Sequence, residues 1–205
     1  MLFELNNLYN MDCMDGMKDF PDDYFDIAIV DPPYGLDKSS THGRGKLKDR
    51  IINADCIHEW DEAPPQSYFD ELFRISKNQI IWGGNYFNLP PTRCIVCWDK
   101  VQPWENFSQI ELAWTSYDKP AKLFRFDNRT TKKIHPTQKP VELYTYLLNT
   151  FAEKGMKILD THLGSGSSIV ACKQLGFEYI GFEISERYFN LAKDRISNSL
   201  KKSLF

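Results

Sequence analysis

Asp31-Pro32-Pro33-Tyr34 joins a carboxylate, a rigid turn and an aromatic ring in consecutive residues. The two prolines fix the backbone and remove two N–H donors, so the turn offers mainly hydrogen-bond acceptors. Asp31 and the carbonyl of Pro32 can accept both hydrogens of an amino group, while the ring of Tyr34 stacks on the planar base that carries it. We therefore predict that these residues are catalytic and act on an aromatic amine.

The amino group of a nucleobase needs such acceptors because its lone pair is delocalised into the ring until the nitrogen becomes tetrahedral. Acceptors placed for the tetrahedral geometry stabilise the transition state more than the ground state. The alternative is an Asp-Pro-Pro turn that only caps a strand. Tyr34 directly after the prolines, and a cofactor-type site further along the chain, favour the catalytic interpretation.

A strand that ends in a carboxylate, a glycine-rich turn and a helix follow one another in residues 157–175. Glycines let the backbone approach a ligand, and the start of the helix offers unpaired N–H groups. Glu183 ends the next strand, nineteen positions after Gly164, where an acidic residue can accept hydrogen bonds from ribose hydroxyls. The predicted cofactor-binding residues here are Asp160, Gly164, Ser165, Gly166 and Glu183.

The chemistry of this turn favours S-adenosylmethionine over a dinucleotide. The turn lacks the third glycine of the dinucleotide motif, and Asp160 would repel a pyrophosphate, which argues against NAD. S-adenosylmethionine has a ribose for Glu183, a sulfonium and an ammonium for acidic surroundings, and no phosphate. We predict S-adenosylmethionine as the cofactor.

These motifs resemble those of the DNA amino-methyltransferases, and their order resembles the β class, in which the DPPY loop precedes the cofactor motif. The resemblance covers most of the chain. It also includes Trp60-Asp61, Gly83-Gly84-Asn85-Tyr86-Phe87, Trp98-Asp99-Lys100, residues 111–114 and His135-Pro136-Thr137-Gln138-Lys139-Pro140. It implies methyl transfer to the exocyclic amine of an adenine that is flipped out of the DNA duplex.

The resemblance also implies further cofactor contacts. Thr137 and Lys139 are expected beside the methionine end of the cofactor, and Asp12 beside its adenine. His135 and Lys139 are assigned no chemical step, because a segment that caps the helix after Pro140 explains them.

Two features depart from the family pattern. The family usually has Asp-Pro-Phe before its glycine motif, whereas Asp160 is followed here by Thr161-His162, so cofactor contacts there can differ. Only twenty residues separate Trp114 from His135, where relatives often place a long target-recognition region. Recognition of the DNA sequence is therefore expected to be short, shared with a partner, or loose, and we expect a homodimer because one subunit offers little surface to a duplex.

The net charge of −3 hides two basic segments. Residues 37–50 carry a net charge of +3 and residues 119–139 carry +6, so the rest of the chain totals −12. An acidic body with two basic segments can grip a phosphate backbone, and the alternative is two solvated loops. Within segments 37–58 and 115–134 we predict DNA contacts from Lys38, Arg44, Lys46, Lys48, Arg129, Lys132 and Lys133.

Short, nearly continuous apolar runs alternate with helical patterns, which indicates an α/β fold with a largely parallel sheet. The predicted strands are 25–30, 79–82, 93–98, 110–114, 157–159 and 179–182, and the predicted helices are 68–75, 141–151, 169–175 and 188–196. We expect one doubly wound, Rossmann-like methyltransferase domain over residues 1–205. Its catalytic region is about 1–115 and its cofactor region about 135–198.

Composition supports a globular protein. A chain of 205 residues fits one domain, and 42% hydrophobic residues with 14% aromatics exclude a disordered chain. No apolar run approaches a membrane span and the start does not resemble a signal peptide, so we expect a soluble, cytoplasmic protein. The five cysteines are better explained as buried thiols than as zinc ligands or disulfides.

Other functions remain compatible with the motifs. Cytosine also presents an exocyclic amine, and RNA adenine enzymes share related loops. Asp31 favours adenine, because the family usually has Ser at this position for cytosine. A catalytically silent subunit that binds nucleic acid and supports an active partner is the alternative outside enzymes, and intact Asp31, Asp160 and Glu183 argue against it.

Overall fold

A computed structural model of the chain describes residues 3–36, 62–103, 108–127, 133–135 and 137–199. In this part of the chain eight strands form one sheet. They are β1 (Asn7–Asn10), β2 (Phe25–Val30), β3 (Ser76–Trp82), β4 (Ile95–Asp99), β5 (Ile110–Thr115), β6 (Lys122–Arg125), β7 (Lys157–Asp160) and β8 (Glu178–Glu183). The α-helices are α1 (Cys13–Met17), α2 (Gln66–Ile75), α3 (Val141–Phe151), α4 (Ser167–Leu175) and α5 (Glu186–Ser199), and a 3-10 turn covers Gly84–Tyr86.

The strand order is β1-β8-β7-β2-β3-β5-β4-β6, and the first five strands are parallel to their neighbours. β5 is antiparallel to both β3 and β4, and β6 is parallel to β4. The predicted α/β fold with a mostly parallel sheet is confirmed. The apolar pattern did not predict β1 or β6, because both are short edge strands without a continuous apolar run.

Helices cover both faces of the sheet, which makes the fold doubly wound. Ile27 and Ile29 of β2 pack in one apolar cluster with residues of α3, α4 and α5. Ala28 and Val30 of the same strand pack in a second cluster with residues of α1 and α2. Since successive side chains of a strand point to opposite faces, β2 is buried from both sides, as its continuous apolar run predicts.

The five parallel strands end at one edge of the sheet, where ligands of such folds bind. Asp12 follows β1, Glu183 ends β8, Asp160 ends β7, Asp31 follows β2 and Gly83 follows β3. Because β5 runs in the opposite direction, its first residues lie at this same edge. The predicted site residues on different strands are therefore collected along a single edge.

Three of the cysteines, Cys13, Cys94 and Cys172, are buried free thiols, and Cys97 is half-buried. The burial of these three agrees with the predicted buried thiols, and Cys56 lies outside the described residues. None of the helices in the described ranges has the length and apolar character required to span a bilayer.

Candidate active site

The catalytic loop begins where β2 ends. The hydroxyl of Tyr34 donates a hydrogen bond of 2.7 Å to Oδ1 of Asp31, so the loop folds back on itself. Burial and the neighbouring charge of Asp31 raise the pKa of Tyr34, which keeps the phenol protonated as a donor. Both residues retain some exposure to solvent. The structure thus brings the two ends of the predicted catalytic loop together at a partly exposed position.

The residues after β3 pack against the ring of Tyr34. Gly83 has a φ of 68°, and a Cβ added there would lie 2.2 Å from that ring. The Tyr86 ring stacks on Tyr34 with centroids 5.1 Å apart, and Phe87 meets it edge-on at 6.1 Å. Tyr86 is 50% exposed, so a base that stacks on Tyr34 from this side has to take its place. The sequence by itself assigns no role to Gly83, although a glycine pair directly after a predicted strand is a signal of such a close approach.

The side chain of Lys139 contacts the catalytic loop, and the cofactor contact predicted for Lys139 stays a prediction. Its Nζ forms an ion pair with Oδ2 of Asp31 and lies 3.3 Å from the Tyr34 hydroxyl oxygen. The same Nζ lies 3.2 Å from Oε2 of Glu111, whose Oε1 is 2.5 Å from Nζ of Lys100. Glu111 and Lys100 belong to segments that resemble the family, but Glu111, Lys100 and Lys139 lie in separate parts of the chain, so spacing alone does not reveal their contacts.

Glu183 holds the glycine turn in place. Its Oε2 accepts a hydrogen bond from the Gly164 N–H (2.8 Å), and its Oε1 accepts one from the Ser185 N–H (2.9 Å). Burial raises the pKa of Glu183 even though these N–H groups oppose the shift. Each carboxylate oxygen can accept a second hydrogen bond, so the side chain retains acceptors for a hydroxyl. The arrangement agrees with the predicted ribose contact, which stays a prediction.

Asp12 lies beside Glu183, because Asn10 of β1 is in register with Glu183 of β8. The Asn10 amide donates a hydrogen bond of 2.8 Å to the Glu183 carbonyl. Asp12 is exposed and caps α1 by accepting from the Met14 N–H at 2.8 Å. The register thus brings Asp12 close to Glu183, and the predicted contact of Asp12 with the adenine of the cofactor stays a prediction.

Asp160 is buried beneath the glycine turn, with 3% of its surface exposed. Its Oδ1 accepts from the His162 N–H at 3.0 Å, and its Oδ2 accepts from the Ser168 hydroxyl. Burial raises the pKa of Asp160 to about 7 despite these hydrogen bonds. The sequence predicts that this carboxylate faces a cationic ligand. In the structure both of its oxygens accept hydrogen bonds from the turn and from the start of α4. A direct cofactor contact of Asp160 stays a prediction.

The remaining predicted cofactor residues lie around the turn. Ser165 is buried, and its carbonyl accepts a hydrogen bond of 2.8 Å from Arg195. Gly166 has a φ of 72° and directly precedes α4. The His135 ring lies next to Gly164, 3.7 Å from where a Cβ would be, and bonds the exposed Thr137 hydroxyl at 3.1 Å. The structure thus places Thr137 near the turn, and its predicted contact with the cofactor stays a prediction.

Of the predicted DNA contacts, Lys133 is described and is exposed. Lys38, Arg44, Lys46, Lys48, Arg129 and Lys132 lie outside the described residues. Three cations of the second basic segment contact the protein itself: Arg125 pairs with Asp99 at 2.8 Å, Lys119 lies over the Tyr117 ring at 5.2 Å, and Lys139 binds Asp31. The charge of +6 therefore overstates what this segment offers to a phosphate backbone.

We expect Asp160→Asn to remove a pH dependence of stability. The folded protein binds a proton at Asp160 with a pKa of about 7 against an ordinary 3.8, so unfolding between these values releases a proton. This contribution to wild-type stability is complete below the lower value and is lost as the pH rises through the higher one. Relative to the variant, the free energy of unfolding should fall by up to about 1.4 kcal/mol per pH unit over that range. Urea unfolding at several pH values measures both proteins, and parallel curves would contradict the assignment.

Comparison with known proteins finds similarity to DNA methyltransferases. Residues 97–194 match the sequence model of the N6/N4 methyltransferases, described as DNA methylase. The match contains Glu111, Lys139, Asp160 and Glu183, whereas Asp31 precedes it. The type II methyltransferase M2.MboI of Moraxella bovis is 26% identical over 240 residues, which cover 92% of this chain and 86% of that protein.

Solved structures share the fold. The M1.HpyAVI–SAM complex has a TM-score of 0.62 at 17% identity, over 93% of this chain and 98% of its own. PvuII DNA methyltransferase, which is cytosine-N4-specific, also has a TM-score of 0.62, at 12% identity and over 97% of this chain and 92% of its own. These likenesses confirm the methyltransferase fold predicted from the sequence. The family match and the relative show that this chain is similar to the N6/N4 DNA methylases.

Proposed function

We propose that this protein methylates the N6 amino group of adenine in DNA, with S-adenosylmethionine as the methyl donor. The observation that carries the proposal is the carboxyl edge of the sheet, where the Asp31–Tyr34 loop lies beside the turn held by Glu183. β2, β7 and β8 are neighbours in the sheet, so the ends of β2 and β8 are about 10 Å apart. The proposed acceptor for an amine and the proposed acceptor for a ribose therefore lie at the same edge of the sheet.

The residues at the turn fit a cationic nucleoside cofactor. Glu183 offers carboxylate oxygens to ribose hydroxyls, Asp12 is exposed next to it, and Thr137 contacts the His135 ring beside the turn. The guanidinium of Arg195 donates a hydrogen bond to the carbonyl of Ser165. It is therefore engaged by the protein and does not act as a phosphate ligand. When bound, S-adenosylmethionine supplies an electrophilic methyl group on its sulfonium.

The catalytic loop prepares the amine for attack. Asp31 accepts a hydrogen bond from the adenine amino group, the carbonyl of Pro32 accepts the second hydrogen, and Pro33 keeps the turn rigid. Tyr34 donates to Asp31 and presents its ring to the base. These acceptors favour the tetrahedral nitrogen that attacks the methyl group. After the N–C bond has formed the nitrogen is acidic and loses its extra proton to water, so no strong base is needed beforehand.

Adenine is preferred over cytosine because Asp31, rather than Ser, opens the catalytic loop. The fold does not decide between them, since PvuII DNA methyltransferase is cytosine-N4-specific and superposes over most of the chain. The base has to leave the duplex to reach Asp31, because its amino group is otherwise paired and stacked. Basic residues of segments 37–58 and 115–134, in a homodimer, are proposed to hold the DNA backbone.

Nucleoside analysis tests the proposal. Purified protein is incubated with S-adenosylmethionine labelled in its methyl group and, in separate reactions, with unmethylated genomic DNA or with total RNA. The digested nucleic acids are analysed by chromatography and mass spectrometry. We expect label in N6-methyldeoxyadenosine. Label in N4-methyldeoxycytidine would support the cytosine alternative, and label in RNA alone would support an RNA substrate. Cofactor binding without transfer to either nucleic acid would support a silent subunit.

A further inference from the structure

Lys139 is a buried cation inside the active site. Its side chain is 3% exposed and its ammonium lies between two carboxylates, those of Asp31 and Glu111. Burial by itself would lower the pKa of Lys139, but the charges of Asp31 and Glu111 outweigh it and raise the pKa, so the side chain is charged. The arrangement is therefore a buried ion pair with a second anion behind it.

Stability does not explain why an ammonium is buried here. Removing two charges from water costs several kcal/mol per ion, and well-packed apolar side chains of similar volume are often as stable or more so. The methylene stem of Lys139 would pack equally well as part of a Met. What the charge adds is a strong, directional interaction with Asp31. A role in orientation therefore fits the location better than a role in folding.

Two donors fix the carboxylate of Asp31. The Tyr34 hydroxyl bonds Oδ1 at 2.7 Å, and the Lys139 ammonium contacts Oδ2. Each carboxylate oxygen has a second acceptor site, so the group can still accept a hydrogen bond from a substrate. With both oxygens held from within the protein, the remaining acceptor sites keep a constant direction.

Lys139 is itself held at both ends. Glu111 lies 3.2 Å from its ammonium and is anchored by Lys100 at 2.5 Å. The backbone carbonyl of Lys139 accepts a hydrogen bond of 2.7 Å from Ser167, the first residue of α4, directly after the glycine turn. One residue thus connects the turn of the cofactor region with the carboxylate of the catalytic loop.

We propose that Lys139, held by Glu111, is a positioning residue that orients the Asp31 carboxylate toward the target amine. The inference rests on the proposed function, since it concerns the same reaction. Lys139 acts through Asp31 and Glu111 acts through Lys139. Replacing either Lys139 or Glu111 should therefore slow the methyl-transfer step and leave cofactor binding unchanged.

Single-turnover kinetics with excess enzyme, labelled S-adenosylmethionine and unmethylated genomic DNA test this order of action. Lys139→Met should lower the rate on the order of 100-fold, as a small misplacement of a catalytic group does. Cofactor affinity, measured by calorimetry, should stay at the wild-type value. Glu111→Gln should give a smaller loss. Lys77→Met is the matched control, because Lys77 pairs with Asp26 at 2.7 Å at the opposite edge of the sheet; its rate should equal the wild-type rate.

A double-mutant cycle separates positioning from a structural role. In an Asp31→Asn background, Lys139→Met should add little further loss, whereas independent effects would multiply. A wild-type rate for Lys139→Met, or multiplicative losses in the cycle, overturns the inference. If the thermal melt shows that Lys139→Met does not fold, the inference is tested with Lys139→Arg and Glu111→Gln. Wild-type rates in both of these variants would overturn the inference. Absence of transfer by the wild type itself would instead contradict the proposed function.

Discussion

Asp31→Ala is expected to lower the rate of methyl transfer by roughly 100- to 1,000-fold, the loss typical of removing one group that stabilises a transition state. Alanine leaves no acceptor for the amine and also leaves the Tyr34 hydroxyl and the Lys139 ammonium without their shared partner. Binding of S-adenosylmethionine should persist, because Glu183 and the glycine turn are held by their own hydrogen bonds. The variant therefore separates the catalytic loop from the cofactor site.

Asp31→Asn distinguishes a hydrogen-bond acceptor from a base. Its amide oxygen can face Lys139, which only donates, while its NH2 group faces the Tyr34 hydroxyl, which can also accept. One acceptor thus remains, and we expect slow but measurable adenine methylation. Rates are compared with those of Asp26→Asn, a change at the other end of β2. Equal and complete inactivity of Asp31→Asn and Asp31→Ala, with intact folding, would instead indicate a required charge or proton transfer.

The strands that carry the site could be predicted from the sequence because each is buried on both faces. The apolar run of β2 predicts that Asp31 lies at a strand end, and the runs of β7 and β8 predict the same for Asp160 and Glu183. In a parallel sheet all such ends lie on one edge, so the meeting of these carboxylates follows from local pattern and topology. The positions of these strand ends could therefore be predicted without knowing the structure of the loops.

The contacts of Lys139 could not be predicted in this way. They depend on β5, which enters the sheet antiparallel between β3 and β4 and so brings Glu111 to the edge where Asp31 lies. Neither the direction of β5 nor its place in the sheet is encoded in the spacing between Asp31, Glu111 and Lys139. For the same reason the basic segment 119–139 appeared more available to DNA than it is, since charge counting does not show that Lys139 and Arg125 have carboxylate partners.

Glu183→Ala is expected to weaken binding of S-adenosylmethionine by ~1.5–3 kcal/mol, as when hydrogen bonds to a charged group are lost, which is roughly 10- to 150-fold in Kd. Part of this loss could come from the turn, because the Glu183 carboxylate also accepts the N–H groups of Gly164 and Ser185.

Two comparisons separate the turn from the ribose contact. Asn10→Ala removes hydrogen bonds to the backbone carbonyls at the end of β8 and leaves the Glu183 carboxylate in place, so it should cost little cofactor affinity. A cofactor analogue whose ribose lacks both hydroxyls should bind the wild type weakly and gain almost nothing from having Glu183, because it cannot use that acceptor. Calorimetry that finds the same Kd for S-adenosylmethionine in Glu183→Ala and the wild type would show that the carboxylate does not contact the ribose. If Glu183→Ala lowers the affinity for the analogue as much as the affinity for S-adenosylmethionine, the effect comes from the turn alone. The ribose assignment holds if the loss is large for the full cofactor, small for the analogue and absent in Asn10→Ala.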